Sequence, residues 1–335
     1  MQIKVIENIE SLKAIQGSWE DLYNEGNYSV FQSFDYCYHS AVINKSKLFV
    51  ITLEAKGNLL ELWPCEIINK RLRFINDLHA DFCAILSKTD SQAIVQYIKE
   101  SNQIKGLQFK NLKRESSVLA KIKKLPNVVI NQKIDFSILK LKQSDNFPAN
   151  FEKFVYRQKR RLKRILNKYS AEHTIYSSSK NSFPLDAIKS LRDEMINNGS
   201  RPPSFLDDSF LFLSKQLYQN DTLIVSAVEI EDNFSAISLL FKNNNDYSFW
   251  VDLYNNQQMM NLFHNTLFIK RITSDESALF NFGRGTYLYK LQNFAPEIHH
   301  LYECNTFKNS LEKMKFIAQE KVIIWLKLIY KKIKK

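Results

Sequence analysis

Glycine is the residue this chain has least reason to lack and uses most sparingly: seven in 335 residues, with two of them flanking Arg284. Such scarcity excludes a glycine-rich phosphate loop almost anywhere else, because glycine is what permits positive φ or close approach to the backbone. Cysteine is equally thin. Cys37, Cys65, Cys83 and Cys304 show no C-x-x-C spacing, which argues against a disulfide frame or a zinc site and for reduced, buried thiols in a cytoplasmic protein. No uninterrupted run of 18 apolar residues occurs, so a spanning helix is not expected. Met1-Gln2-Ile3-Lys4-Val5-Ile6-Glu7 lacks the apolar core of a signal peptide. With no G-x-S-x-G, P-loop or G-x-G-x-x-G, hydrolase, kinase and Rossmann readings have no support.

Apolar and basic residues are plentiful. A 44% hydrophobic and 13% aromatic composition can bury a full core and suits two domains. The net charge of +12 attracts phosphates, acidic glycans, nucleic acid or an anionic membrane. It is concentrated in two helical stretches. Lys153, Arg157, Lys159, Arg160, Arg161, Lys163, Arg164 and Lys168 form the first, and a Lys-rich stretch around Val322-Ile323-Ile324-Trp325-Leu326 forms the second.

The hydrophobic pattern predicts a strand at 3–6, one helix carrying Leu12, Ile15, Trp19 and Leu22, and a helix capped by Ser33. Gly57-Asn58 predicts a hairpin between strands at 48–54 and 59–67, with a further strand at 72–77. Helix, strand, helix and strand then follow to about residue 140. Residues 143–150 are read as a boundary, before a basic helix with an apolar stripe. Beyond it the pattern gives a strand (172–177), two helices (185–198, 207–219), three strands between 223 and 253, and a helix (259–274). A strand at 278–280 then leads to Gly-Arg-Gly, and a last strand (298–304) and helix (311–332) complete the chain. The expectation is an α/β (α+β) fold of mixed, largely antiparallel sheets flanked by helices, divided as 1–145, 150–310 and a basic C-terminal helix at 311–335.

Val225–Phe241, Phe249-Trp250-Val251-Asp252, Phe280-Asn281-Phe282-Gly283-Arg284-Gly285 and Tyr289-Lys290 occur in that order. Together with the basic helix Tyr156–Leu166 and the loop-helix Gly199–Leu213, they resemble the GNAT-like acyltransferases of cellulose and exopolysaccharide biosynthesis. That family is similar in turn to FemAB-type aminoacyl transferases with two GNAT-like halves. The resemblance is close over about 150–305 and looser over 10–140, through Trp19, Phe31-Gln32-Ser33 and Trp63-Pro64. In two places the chain departs from it. Asn281 replaces the usual Asp, and Tyr254–Asn261 contains no glycine where an acyl-CoA pyrophosphate loop would have several.

The resemblance implies N-acyl transfer from acyl-CoA to an amino group, with an amino sugar or lipid-linked sugar of a cell-envelope or exopolysaccharide precursor as acceptor. Such transfer needs a base and a donor for the oxyanion. Asp252 is the candidate base, against the plainer reading of a strand-end turn residue. Tyr289 is the candidate proton donor and Lys290 an anion or oxyanion ligand, against a core Tyr beside a surface Lys. Arg284, with Gly283 and Gly285, would offer a guanidinium and free backbone N–H groups to an anion, against a tight turn with a solvated Arg. Gln258, Met259, Met260 and Asn261 open the next helix, whose N-terminus could seat a phosphate. Gln32, Asp77, Asp81, Arg160, Arg161, Arg201 and Trp250 are candidate acceptor-binding residues. Asp77, His79 and Asp81 read as a polar loop or acceptor site before a metal pair, and no metal is expected. Two other readings stay open: a non-catalytic GNAT-fold module binding an anionic glycan or nucleic acid, and an aminoacyl-tRNA-dependent transferase. No specific nucleic-acid module accompanies the basic helix. Residues 311–335 suit either a helix at an anionic inner-membrane face or a packed helix with a solvated lysine tail.

Overall fold

The computed structural model describes residues 1–141, 171–231, 233–255, 260–275, 277–285, 287–294 and 296–333. The expected boundary at 143–150, the basic stretch with Arg160 and Arg161, and Gln258 and Met259 lie outside them. Two compact units result: residues 1–41, 45–133 and 301–335, and residues 42–44 and 134–300. This division differs from the sequence reading, since residues 134–141 count with the second unit and 301–335 with the first.

The first unit holds two sheets. Strands β1 (Gln2–Ile6), β2 (Val50–Ala55), β3 (Asn58–Trp63) and β6 (Leu86–Ser87) form an antiparallel sheet in that order. In the other, β4 (Cys65–Ile68) pairs antiparallel with β5 (Arg71–Phe74), β5 parallel with β7 (Gly106–Lys113), and β7 antiparallel with Leu301–Asn305 of β14 (Glu297–Thr306). The strand predicted over 59–67 is thus two. Pro64 has no N–H to give a ladder, and its carbonyl accepts from the Ile75 amide at 3.0 Å. The strand predicted at 72–77 stops at Phe74, where Asn76 turns the chain with φ +52. The Gly57 hairpin is present, with Ala55 opposite Asn58.

The helix predicted through Leu12 and Leu22 is also two, α1 (Ile9–Ala14) and α2 (Gln16–Asn24). Ile15 leaves helical geometry with φ −97 and ψ 8, and its amide donates to the Leu12 carbonyl at 3.3 Å. Both pieces still bury the predicted stripe, with Leu12, Trp19 and Leu22 at most 1% exposed. Ser33 caps α3 (Phe34–Asn44), its hydroxyl accepting from the Tyr36 amide at 3.2 Å. Helices α4 (Ala93–Glu100) and α5 (Ser117–Ile122) follow.

From α5 comes a buried charge. Lys121 Nζ donates to Glu61 Oε2 at 2.8 Å and to the carbonyls of Thr89 and Ser91 at 2.9 and 2.8 Å. Trp63 Nε1 donates to the other Glu61 oxygen at 2.7 Å. All three ammonium protons and both carboxylate oxygens are engaged, which is the condition under which a buried pair is tolerated.

The second unit is one mixed sheet. Strands β9 (Ala171–Tyr176), β10 (Leu223–Ile230), β11 (Asn233–Asn243) and β12 (Asp246–Tyr254) pair antiparallel in sequence. Helix α8 (Met260–Asp275) then crosses to β13 (Ala278–Arg284), parallel to β12 and antiparallel to β8 (Val128–Leu141). Helices α6 (Leu185–Asn197), α7 (Asp208–Gln219) and α9 (Leu288–Phe294) complete it. Phe268 of α8 meets Tyr247, Phe249 and Phe280 edge-on at ring-centre distances of 5.4, 5.6 and 6.2 Å. Burial of each such ring is worth about 2 to 3 kcal/mol. The first unit also holds α10 (Ser310–Ile333). All four cysteines are buried.

Candidate functional site

Register decides what the second sheet presents to α8. Ser226 on β10 lies opposite Ser238 on β11, and Ser238 opposite Asp252 on β12. Three polar residues therefore stand in one row across three strands. An irregularity in β12 is accommodated without breaking this row. Leu239 pairs with Val251 but Leu240 with Phe249, so Trp250 is an extra residue, a β-bulge. Tyr247 and Phe249 face α8 before it. Asp252 faces α8 after it, although strict alternation would turn it away. Trp250 itself goes to the other side, against Phe210 of α7 at 4.4 Å and Phe241 at 4.8 Å. Trp250 is half-buried there, and its ring lies on the opposite face of the strand from Asp252.

His264 of α8 sits over the row. Ser238 Oγ donates to Asp252 Oδ1 at 2.6 Å and lies 3.3 Å from His264 Nδ1. His264 Nε2 is 2.8 Å from Ser226 Oγ, which is 2.8 Å from His173 Nε2 on β9. Burial lowers His264 to about 3, with His173 adding to the effect, and lowers His173 to about 4, helped by Arg271. Both rings are neutral at physiological pH.

The charge of Asp252 is also felt at Tyr289. Burial, then the charge of Asp252, holds the Tyr289 phenol well above its usual range. Tyr254 and Tyr287 act in the same direction, and Arg201 opposes them. A carboxylate, a protonated phenol and a guanidinium thus share one electrostatic neighbourhood. Of the sequence candidates, it gathers Asp252, Tyr289 and Arg201, the last also lying over the Phe205 ring at 4.8 Å.

The remaining candidates are placed otherwise. Lys290 is buried, 5% exposed, and donates to the Phe282 carbonyl at 2.5 Å, with its ammonium 5.2 Å from the Tyr287 ring centre. It fastens α9 to β13 and is not the surface lysine of the plainer reading. The glycine amides expected to be free are engaged: Gly283 N–H donates to Asn281 Oδ1 at 3.0 Å and Gly285 N–H to the Asp135 carbonyl at 2.7 Å. Positive φ at both, +68 and +91, is what required glycine there. Arg284 pairs in register with Phe136 and is half-buried. Met260 packs with Val228, Ala236 and Phe263 as core, and Asn261 Oδ1 accepts from the Leu262 amide at 2.8 Å.

In the first unit, Gln32 is 2% exposed. Its side chain donates to the Phe82 carbonyl at 2.7 Å and accepts from Ser29 Oγ at 2.7 Å. It lines a cavity of about 230 Å³ with Tyr28, Phe82, Cys83 and Lys113. Asp77 and Asp81 are buried in a loop that Asn111 ties down, donating to the carbonyls of Asp77 and Ala80. Among the described residues no cluster of His, Cys, Asp or Glu has metal-binding geometry.

Sequence reasoning missed Ser226, Ser238, His264 and His173. Their separations along the chain follow no ligand spacing. Only strand register, with the bulge counted, brings them together.

No protein-family model and no curated protein matches the sequence. Solved structures do match in fold. The C-terminal domain of a protein assigned as a lysylphosphatidylglycerol synthetase from Agrobacterium fabrum superposes with a TM-score of 0.62 at 9% identity, covering 93% of this chain and 96% of that one. FemX gives 0.60 at 10%, over 90% and 97% of the two chains. A tandem GNAT protein from the clavulanic acid biosynthesis pathway gives 0.51 at 7%, over 92% and 99%. The chain has the tandem GNAT fold, two α+β halves with mixed sheets flanked by helices.

Proposed function

We propose that this protein transfers an acyl group from an activated carboxyl donor to an amine, with Asp252 as general base. One observation carries the reading: β12 presents a half-buried carboxylate beside a phenol that stays protonated. The amine nitrogen attacks the donor carbonyl while Asp252 takes a proton from it. Tyr289 donates a hydrogen bond to the developing oxyanion, and Arg201 adds positive charge. Collapse breaks the bond to the leaving group and forms the amide. Lys290 enters as the residue that holds α9 in place.

The donor in the first reading is an acyl-CoA, with acetyl or a longer acyl group, and the acceptor an amino sugar of a cell-envelope or exopolysaccharide precursor. An aminoacyl-tRNA donor is the second reading. It is favoured by the absence of glycine between Gly199 and Gly283 and by the engaged Gly283 and Gly285 amides, neither of which is left to bind a pyrophosphate. FemX and a lysylphosphatidylglycerol synthetase domain are among the structural neighbours, which keeps an aminoacyl group in view. A ligand at 100 times its Kd adds about 2.7 kcal/mol of stability. Thermal shift with acetyl-CoA, long-chain acyl-CoA and charged tRNA therefore separates the two readings, and no shift with any of them removes both. With the donor known, Asp252→Asn should keep the shift and lower turnover by about 10²-fold or more.

Helix α10 extends this reading. Val322, Ile323, Trp325 and Leu326 are 54%, 46%, 61% and 53% exposed among lysines, which suits contact with an anionic bilayer near a lipid-linked acceptor. No helix among the described residues is long and apolar enough to cross one. Flotation with phosphatidylglycerol vesicles should be lost in Trp325→Glu, and flotation equal to the parent's would remove the contact.

A further inference from the structure

The hydrogen atoms of the polar row can be assigned by elimination. Asp252, as a carboxylate, only accepts, so the Ser238 hydroxyl spends its single proton on Oδ1. What Ser238 then shares with His264 Nδ1 at 3.3 Å must be a proton carried by the ring. His264 is 1% exposed and a neutral ring has one N–H, so its Nε2 carries none and accepts from the Ser226 hydroxyl at 2.8 Å. The Ser226 oxygen in turn accepts from His173 Nε2–H, also at 2.8 Å. Every donor points the same way, toward the carboxylate. Arg271 donates to the His173 backbone carbonyl at 2.8 Å, which ties α8 to the far end of the chain.

We propose that Ser238, His264, Ser226 and His173 form a one-way hydrogen-bonded chain that positions Asp252. The chain rests on the reading of Asp252 as the base and says how that base is held. Oδ1 is fixed by Ser238, which leaves Oδ2 for the substrate amine. His264 does not touch substrate. Its task is to commit Ser238 to donating toward β12, since a ring with its proton on Nε2 would offer Nδ1 as a competing acceptor. A serine–serine row without the ring would leave the hydroxyl directions open.

The prediction is a tautomer. Long-range ¹H–¹⁵N spectra of the intact protein should find His264 as Nδ1–H and His173 as Nε2–H. In Asp252→Ala the acceptor that sets the direction is gone, and His264 should shift toward Nε2–H. Ser238→Ala, a smaller change at a buried site, should do the same and serves if the first variant folds poorly. Nε2–H in the parent protein, or a His264 tautomer unmoved in both variants, overturns the chain. Neither result depends on substrate, so they remain decisive if no donor supports turnover, an outcome that would count against the transferase reading alone. Where turnover is measured, Ser238→Ala should lower kcat about tenfold with KM unchanged. An unchanged kcat would mean that the chain is structural only.

Discussion

A buried polar network in each unit can be set side by side, and the two are built on opposite plans. In the first, Lys121 and Glu61 are ionised, and every proton and oxygen they own is used within the protein. Nothing is left for a ligand. In the second, the members running inward from His173 on the outer strand β9 are neutral hydroxyls and imidazoles, and the charged side chain, Asp252 on β12, stands half-buried at the other end of the line. A closed network spends its polarity on holding elements together. An open one delivers it to a single atom, and the half-buried carboxylate next to Tyr289 is where a reaction has something to use.

The contrast can be broken from either side. The largest effect is expected from Lys121→Met, which strands the Glu61 carboxylate. A loss of about 3 to 5 kcal/mol is expected in denaturant unfolding, and Glu61→Gln added to it should recover part of that loss. If the single change costs under about 1 kcal/mol, the pair is not the closed network described. Acidification acts on the open network. His173 and His264 are held neutral at about 4 and about 3 in the fold, against an ordinary value of 6.5. Between pH 6.5 and 4 the unfolded chain therefore binds more protons, and stability falls as pH falls. At pH 5 each histidine should cost about 2 kcal/mol relative to pH 7, and His264→Gln should flatten that slope. A smaller change, Trp63→Phe, removes the donor to Glu61 Oε1 and should cost about 2 kcal/mol. Smallest is Ser33→Ala at the N-cap of α3, at about 1 kcal/mol in thermal unfolding.

Much of the fold was legible because hydrophobic period and punctuation are local signals. The Gly57-Asn58 hairpin, the strands from 223 to 254 and the Ser33 cap were all read from neighbours within a few residues. The errors came where one atom overrode the pattern. Ile15 ended a helix whose apolar spacing continued, and Pro64 cut a run that looked like one strand. The site was legible only in part. Asp252, Tyr289 and Arg201 could be named because they sit in or beside motifs. Ser226, Ser238, His264 and His173 could not, since their proximity depends on three strand pairings and a helix crossing. Lys290 and the Gly283 and Gly285 amides were read as offering themselves to an anion. A pattern of residue types does not say which donors the protein has already used.

The extra residue at Trp250 has a consequence in the language of genes. Along β12 the side chains obey a two-beat frame, and the bulge is a one-beat insertion in it. Replacing Trp250 by another residue leaves the beat count intact and should cost only packing. Losing its codon would remove the extra beat and leave Leu240 opposite Phe249, Leu239 opposite Val251 and Ser238 opposite Asp252. Asp252 would keep its face, and only straightening the strand with Trp250 still in it would swing the carboxylate toward the Phe210 side. For this strand a missense change and a single-codon deletion at 250 are both dents in packing that leave Ser238 opposite Asp252, so both should be found among functional variants.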